Sequence, residues 1–172
     1  QRELDTFKKV NHRCILKCYG YIKQERVGGQ KNALVVDFMC NKSLRDYISK
    51  CQNENKLNLL SNTEKTKILL QIFFGLDHLH SLGIFHRDIK IDNILINENG
   101  DAVLSDFDLS RLYEGFKSYT TDVGSPLYMS PEQITNDKIS FQTDLYSFAL
   151  IIYQIATFKS PYEGLKYIQI ID

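Results

Sequence analysis

The chain has 172 residues, which suits one domain of ordinary size or one large lobe with part of a second. It is 43% hydrophobic and 24% charged, so it can bury a core and is not disordered by composition. Lys and Arg number 21, Asp and Glu 21, and a net charge of zero speaks against a nucleic-acid footprint or a membrane-seeking surface. No charged-then-apolar leader is visible at Gln1–Asp5. The longest apolar run, Leu145 to Phe158, falls short of the ~20 residues a membrane span needs and reads as a buried core helix. Cys14, Cys18, Cys40 and Cys51 show no paired spacing, so free thiols in a reducing, cytoplasmic compartment are expected over a metal site with His12.

In chain order, residues 3–10 read as the end of a helix. Ile15–Ile22 and Ala33–Phe38 read as strands, with the polar stretch Lys23–Asn32 turning between them. Asp37–Asn41 reads as a connection out of this strand-rich piece. Ser43 caps a second helix, with Asp46 three residues on, and Gln52–Asn58 reads as a polar loop. Ser61 and Glu64 form a capping box for the clearest helix, whose apolar pattern is Ile68, Leu69, Ile72, Phe73, Leu76 and Leu79. Gly83 sits where a C-terminal left-handed residue belongs. Ile94–Asn97 and Ala102–Ser105 flank Asn99-Gly100, a hairpin signal. Residues 109–131 read as a long functional loop, and 142–157 as a helix apolar on nearly all sides. Strands come first and helices later, with one hairpin between helices. That order implies an α+β architecture with a small strand-rich lobe beside a larger helical one.

Phosphoryl transfer to a hydroxyl needs a carboxylate for the hydroxyl proton, oxygen ligands for Mg²⁺, a cation near the transferring group, and in-line positioning. One stretch offers these groups: His86-Arg87-Asp88-Ile89-Lys90-Ile91-Asp92-Asn93, then the hairpin, then Asp106-Phe107-Asp108. A hairpin returns the chain to its starting level, so Asp106 can come back beside Asp88 and Asn93. Any one of these residues alone is an ordinary loop residue; the joint types, spacing and hairpin carry the signal.

HRDIKIDN resembles the protein kinase catalytic loop H-R-D-L-K-x-x-N, and LSDFDLS resembles the D-F-G segment. GSPLYMSPE (124–132) is similar to the end of a kinase activation segment, and DLYSFALIIYQIATFKSPYEG (144–164) to the segment that follows it. HRCILKCYGYI and LVVDFMCNKSL resemble the region before the hinge and the hinge itself. The likeness runs along essentially the whole chain and implies a bilobal protein-kinase-like fold, with 1–40 a partial N-lobe and hinge and 41–172 a partial C-lobe.

The resemblance implies roles position by position. Asp88 would be the catalytic base, and Lys90 would neutralise charge on the γ-phosphate of ATP. Asn93 and Asp106 would ligate Mg²⁺. Val36 would stand behind the nucleotide, Asp37, Phe38 and Met39 would offer backbone groups to adenine, and Leu95 would pack under the ring. Glu3 would pair with a strand lysine. Lys90 with Ser125 resembles the Ser/Thr class, with Ser125 bonding Asp88 and Lys90 and shaping the acceptor site for a protein substrate. Arg87 resembles the arginine that pairs with a phosphate on the activation loop, for which Thr121 and then Thr120 are the candidates. Asp144 would anchor the catalytic-loop backbone, and Glu132 would lack the arginine of a later helix.

Three departures bear on these roles. Asp108 stands where the family has glycine, which stiffens the segment. The Gly-rich loop and the strand lysine belong before residue 1. The helices that close the large lobe belong after residue 172, so apolar surface is expected where they would dock. A pseudokinase acting as a binding or scaffolding module is the alternative. A phosphotransferase for small hydroxyl compounds is a third reading, disfavoured by the substrate-holding look of residues 124–132.

Overall fold

The computed structural model describes residues 10–26, 29–53, 60–106, 126–135, 137–165 and 168–171. An antiparallel pair comes first, β1 (Cys18–Arg26) with β2 (Gly29–Val36), in register from Cys18↔Val36 to Arg26↔Gly29 with a shift between Cys18 and Gly20. The strands therefore run through the polar stretch Lys23–Asn32 that was expected to turn. A two-stranded ribbon needs no buried face there, so its residues carry no apolar alternation to read. Ile22 and Leu34, each 56% exposed, show how little of the ribbon is covered.

Helix α1 (Leu44–Asn53) starts where expected: the Ser43 hydroxyl donates to Asp46 Oδ2 at 2.7 Å and the Asp46 N–H donates back to Ser43 Oγ at 3.2 Å. It takes in Gln52 and Asn53, which were read as loop. Helix α2 (Asn62–Ser81) opens with a capping box, the Glu64 N–H donating to Ser61 Oγ and the Ser61 N–H to Glu64 Oε2. It ends in a Schellman motif: the Gly83 N–H donates to His80 O and the Ile84 N–H to Leu79 O, both at 2.9 Å, with Gly83 at φ 72°. That reversal aims the chain straight into His86.

The hairpin of β3 (Ile94–Ile96) and β4 (Ala102–Leu104) pairs Ile94↔Leu104 and Ile96↔Ala102. Its loop is organised by Asn97 Oδ1, which accepts from the Asn99 and Asp101 N–H groups, both at 2.9 Å, while Gly100 takes φ 70°. A 3₁₀ turn (Pro126–Tyr128), the short helix α3 (Pro131–Ile134), helix α4 (Phe141–Thr157) and the short α5 (Ile168–Ile171) follow.

The core lies between α2, the β3–β4 hairpin and α4. Ile68, Ile72, Leu76 and Leu79 of α2 pack with Ile94, Ile96, Leu104, Ile151 and Ile155, all nearly inaccessible. Phe73, expected on the buried face, is 44% exposed. Helix α4 is not covered all round, because Phe141, Leu145, Ile152 and Tyr153 are each 40% or more exposed.

Gly75 marks the tightest approach of α2 to β4. A Cβ there would lie 2.8 Å from Leu104 Cδ1 and 2.9 Å from the Cys14 carbonyl oxygen. Gly75→Ala should therefore destabilise the fold by about 1–3 kcal/mol despite alanine's better helix propensity. Urea unfolding checks this, and a neutral or stabilising alanine would show that the contact relaxes freely.

Candidate active site

The site is built on a stretch whose polar and apolar residues alternate. Ile89 and Ile91 are 1% and 2% exposed and plug into the core. Asp88 and Lys90 therefore stay at the surface side, while Asn93 is buried at the end of the stretch. Apolar transfer of two isoleucines, about 1.5–3 kcal/mol each, holds this loop down without any polar contact.

The polar contacts then set its shape. Asp144, in the first turn of α4 and 1% exposed, accepts from the His86 N–H at 2.9 Å and the Arg87 N–H at 2.7 Å. Its Oδ2 also lies 2.8 Å from His80 Nε2 at the end of α2. The His86 ring donates from Nε2 to the Ser105 carbonyl at 2.9 Å. The Gln133 amide of α3 donates to the Arg87 carbonyl at 2.9 Å. Arg87 sits at φ 67° and Asp106 at φ 55°, left-handed conformations that non-glycine residues adopt at a cost of order 1 kcal/mol. Both lie beside the contacts that hold them.

Asp88 Oδ2 is the focus. It accepts from Lys90 Nζ at 2.7 Å and from Asn93 Nδ2 at 2.8 Å, and the Asp88 side chain is 53% exposed. Asn93 Nδ2 also donates to the Asp88 carbonyl at 2.9 Å, so both its protons have acceptors. The hairpin closes the gap to the next segment. The Ser105 N–H and hydroxyl both donate to the Asn93 carbonyl, at 2.9 and 3.0 Å. Asp106, exposed, is the next residue.

Leu95, half-buried, pairs with Val103 on the hairpin and bridges to Ser43. At the hinge, Val36 ends β2 at 38% exposure and Phe38 is 90% exposed. The Asp37 N–H donates to the Lys17 carbonyl at 3.2 Å, its carboxylate accepts from Tyr19 OH at 2.6 Å, and the Met39 carbonyl accepts from the Lys42 N–H at 3.0 Å. The hinge exit is tied to the hairpin, because the Asn41 N–H donates to the Ile96 carbonyl and the Ile96 N–H to the Lys42 carbonyl. Glu3, Asp108, Thr120, Thr121 and Ser125 lie outside the described residues. An open groove of about 840 Å³ beside α2, reached by Arg13, Lys67, Phe74 and Asp101, is lined by none of the expected site residues.

Hard oxygen donors such as the Asp106 carboxylate and the Asn93 amide oxygen suit Mg²⁺, which is held by few protein ligands and completes its shell with phosphate and water. Among the described residues no three His, Cys, Asp or Glu side chains surround one metal position.

A protein kinase domain model matches residues 1–171. The chain belongs to the protein kinase domain family. An LRR receptor-like serine/threonine-protein kinase of Arabidopsis thaliana is 32% identical over 95% of this chain and 14% of its own length. A calmodulin-binding receptor-like cytoplasmic kinase of the same plant is 30% identical over 94% of this chain and 39% of its own. A NUAK family SNF1-like kinase of Homo sapiens is 28% identical over 97% and 24%. The chain thus spans less than half the length of these relatives. The antiparallel ribbon followed by the helical part fits the bilobal fold of the family, whose members generally use ATP and Mg²⁺. No helix among the described residues is long and apolar enough to cross a membrane.

Several supporting residues were not visible in the sequence. His80 and Gln133 act at 64 and 46 residues' separation from their partners, and nothing in their local spacing signals it. Glu132, expected to lack an arginine, accepts from Thr143 Oγ1 at 2.9 Å.

Burial pushes the His86 pKa below its ordinary 6.5. The folded state then binds fewer protons than the unfolded state, so this contribution to stability is complete above about pH 6.5 and is lost as pH falls through the depressed value. Unfolding free energy should drop as pH falls below about 6.5, and less steeply in His86→Gln, whose amide can still donate to Ser105. Equal slopes in urea titrations of the two proteins would remove His86 from this account.

Proposed function

We propose that this chain is the catalytic part of a Ser/Thr protein kinase that transfers the γ-phosphoryl group of ATP to protein hydroxyls. The observation that carries the reading is the exposed Asp88 carboxylate, held by Lys90 and Asn93 together, with Ser105, the residue before Asp106, bonded to the Asn93 carbonyl. Asp88 would accept or orient the substrate hydroxyl proton. Lys90, 2.7 Å away, would stay near enough to neutralise charge on the transferring group. Asn93 and Asp106 would hold Mg²⁺, which when bound draws charge from the β- and γ-phosphates. The hinge residues Asp37 to Met39 and the half-buried Leu95 would bracket adenine, with Val36 at the back and Glu3 serving a strand lysine. Ser125 would close the acceptor side. Four free cysteines among the described residues support a reducing, cytoplasmic setting.

Phosphate transfer from labelled ATP to a serine peptide tests this in the intact protein. Asp88→Asn should lower the rate by about 10²–10⁴ with nucleotide binding kept. Equal transfer by wild type and variant would end the assignment of Asp88, and Mg-dependent nucleotide binding without any transfer would favour the scaffolding reading.

Arg87 supports a phosphate switch. Its Nε is buried and has no hydrogen-bond partner among the described residues, although a guanidinium strongly prefers paired donors. A phosphate on Thr121 would supply the missing acceptor, with Thr120 the second candidate. Activity that rises severalfold on phosphorylation in wild type but not in Thr121→Ala is the expected result; an equally active Thr121→Ala protein would refute it.

A further inference from the structure

The catalytic loop is held at its two halves by different means. Asp144 and His86 secure the first half, up to Arg87. The second half carries Lys90 and Asn93; Ser105 of the hairpin holds its end at the Asn93 carbonyl, and α1 holds the turn before it. The Arg45 N–H donates to the Ile91 carbonyl at 3.2 Å. The Arg45 guanidinium grips Asp92 in a two-pronged bond, Nε to Oδ1 at 2.5 Å and Nη2 to Oδ2 at 2.8 Å. One residue thus holds both the backbone and a side chain of the turn between Lys90 and Asn93. The Asp92 carboxyl lies below its ordinary pKa range because Arg45 bonds it, so the pair is ionised throughout the working pH range. The Tyr128 hydroxyl, bonded to Gln154 of α4, faces the same pair from the 3₁₀ turn.

We propose that Arg45 is a positioning residue for the phosphoryl-transfer reaction, setting the register of Lys90 and Asn93 on Asp88 through its two-pronged bond to Asp92. The proposal rests on the kinase reading above. Asn93 follows Asp92 directly, and the Asn93 amide must reach Asp88 Oδ2 at 2.8 Å while its carbonyl takes both donors of Ser105. A turn free to shift by about 1 Å would break that geometry, and such misplacement costs rate and leaves binding largely alone. Arginine matters because its planar fork fits a carboxylate with two parallel bonds, which fixes direction as well as distance; a lysine offers a point charge. Arg45 also sits one helical step beyond the hinge exit, whose Asn41 and Lys42 are bonded to Ile96. The hinge exit, where nucleotide would be bracketed, and the loop that holds Asn93 are therefore both tied to the short stretch Asn41–Arg45.

The test compares Arg45→Ala, Arg45→Lys and the exchange Arg45→Asp with Asp92→Arg in the intact protein. Three quantities are read: kcat, KM for ATP, and hydrogen exchange of the Asn93 and Ser105 amides. Arg45→Ala should lower kcat about tenfold with KM for ATP within about twofold, and speed both amides about tenfold. Arg45→Lys should fall between, and the charge exchange should restore most of kcat and slow exchange again. Unchanged kcat and exchange in Arg45→Ala overturn the proposal, as does a charge exchange that restores neither. A loss seen only as a raised KM for the peptide also overturns it, since Arg45 would then touch substrate. If Arg45→Ala unfolds, Arg45→Lys and Asp92→Asn carry the same comparison. If wild type transfers nothing while Arg45→Ala still speeds the two amides, the kinase reading falls and the loop clamp stands.

Discussion

The buried carboxylate of Asp144 is the contact on which the catalytic loop depends. A charged group at 1% exposure is tolerable only when its lone pairs are filled, and here two backbone N–H groups and one imidazole fill them. The gain runs both ways. The His86 and Arg87 amides sit between the end of α2 and the start of the loop, where no helix or sheet ladder reaches them. Each would cost about 1–3 kcal/mol if buried without an acceptor. One side chain on α4 therefore makes a left-handed Arg87 affordable and sets where Asp88 emerges.

From that point the loop is positioned by alternation. Ile89 and Ile91 are buried, while Asp88 is exposed and Lys90 and Asp92 are only partly buried. The hairpin then supplies a fixed return. Because Ile94 pairs with Leu104, the residues just outside the pair, Asn93 and Ser105, meet, and Asp106 follows directly. His86 closes the circuit by bonding the Ser105 carbonyl from below. The Asp106 backbone at φ 55° is the point where strand geometry is abandoned, which is where a side chain has to be re-aimed.

Most of this frame was legible because it is local. The Ser43–Asp46 and Ser61–Glu64 boxes, Gly83 at the end of α2 and the Asn99-Gly100 loop each act over a few residues, and each is where spacing put it. Asp144 was legible only through family resemblance, since its partners lie 57 to 64 residues away. The Arg45–Asp92 pair spans 47 residues, and neither residue differs in type from an ordinary surface charge. The strands through Lys23–Asn32 were missed for the opposite reason: a ribbon pairs by backbone, and polar side chains announce a turn whether or not one forms. Phe73 failed because a stripe at helical spacing says which residues could be buried, not how wide the covering surface is. The apolar run of α4 overstates its burial in the same way, since Phe141, Leu145, Ile152 and Tyr153 are each 40% or more exposed.

The division between buried support and exposed chemistry follows from energetics. Asp88 is 53% exposed, and its bond to Lys90 is screened by water, so it contributes little to stability. That weakness is useful. Under the proposed role, a carboxylate that would exchange its partners for a substrate hydroxyl is better served by this bond than by a dry ion pair, whose breaking would cost several kcal/mol. Asp144, His86 and Gln133, which hold the loop, are the buried ones, so support and the proposed chemistry fall in different layers of the same loop. Arg45 and Asp92 stand between the layers: half-exposed, yet aligned by two parallel bonds that replace burial as the source of direction. A loop built this way keeps its frame under the apolar core while the Asp88 carboxylate stays open to solvent.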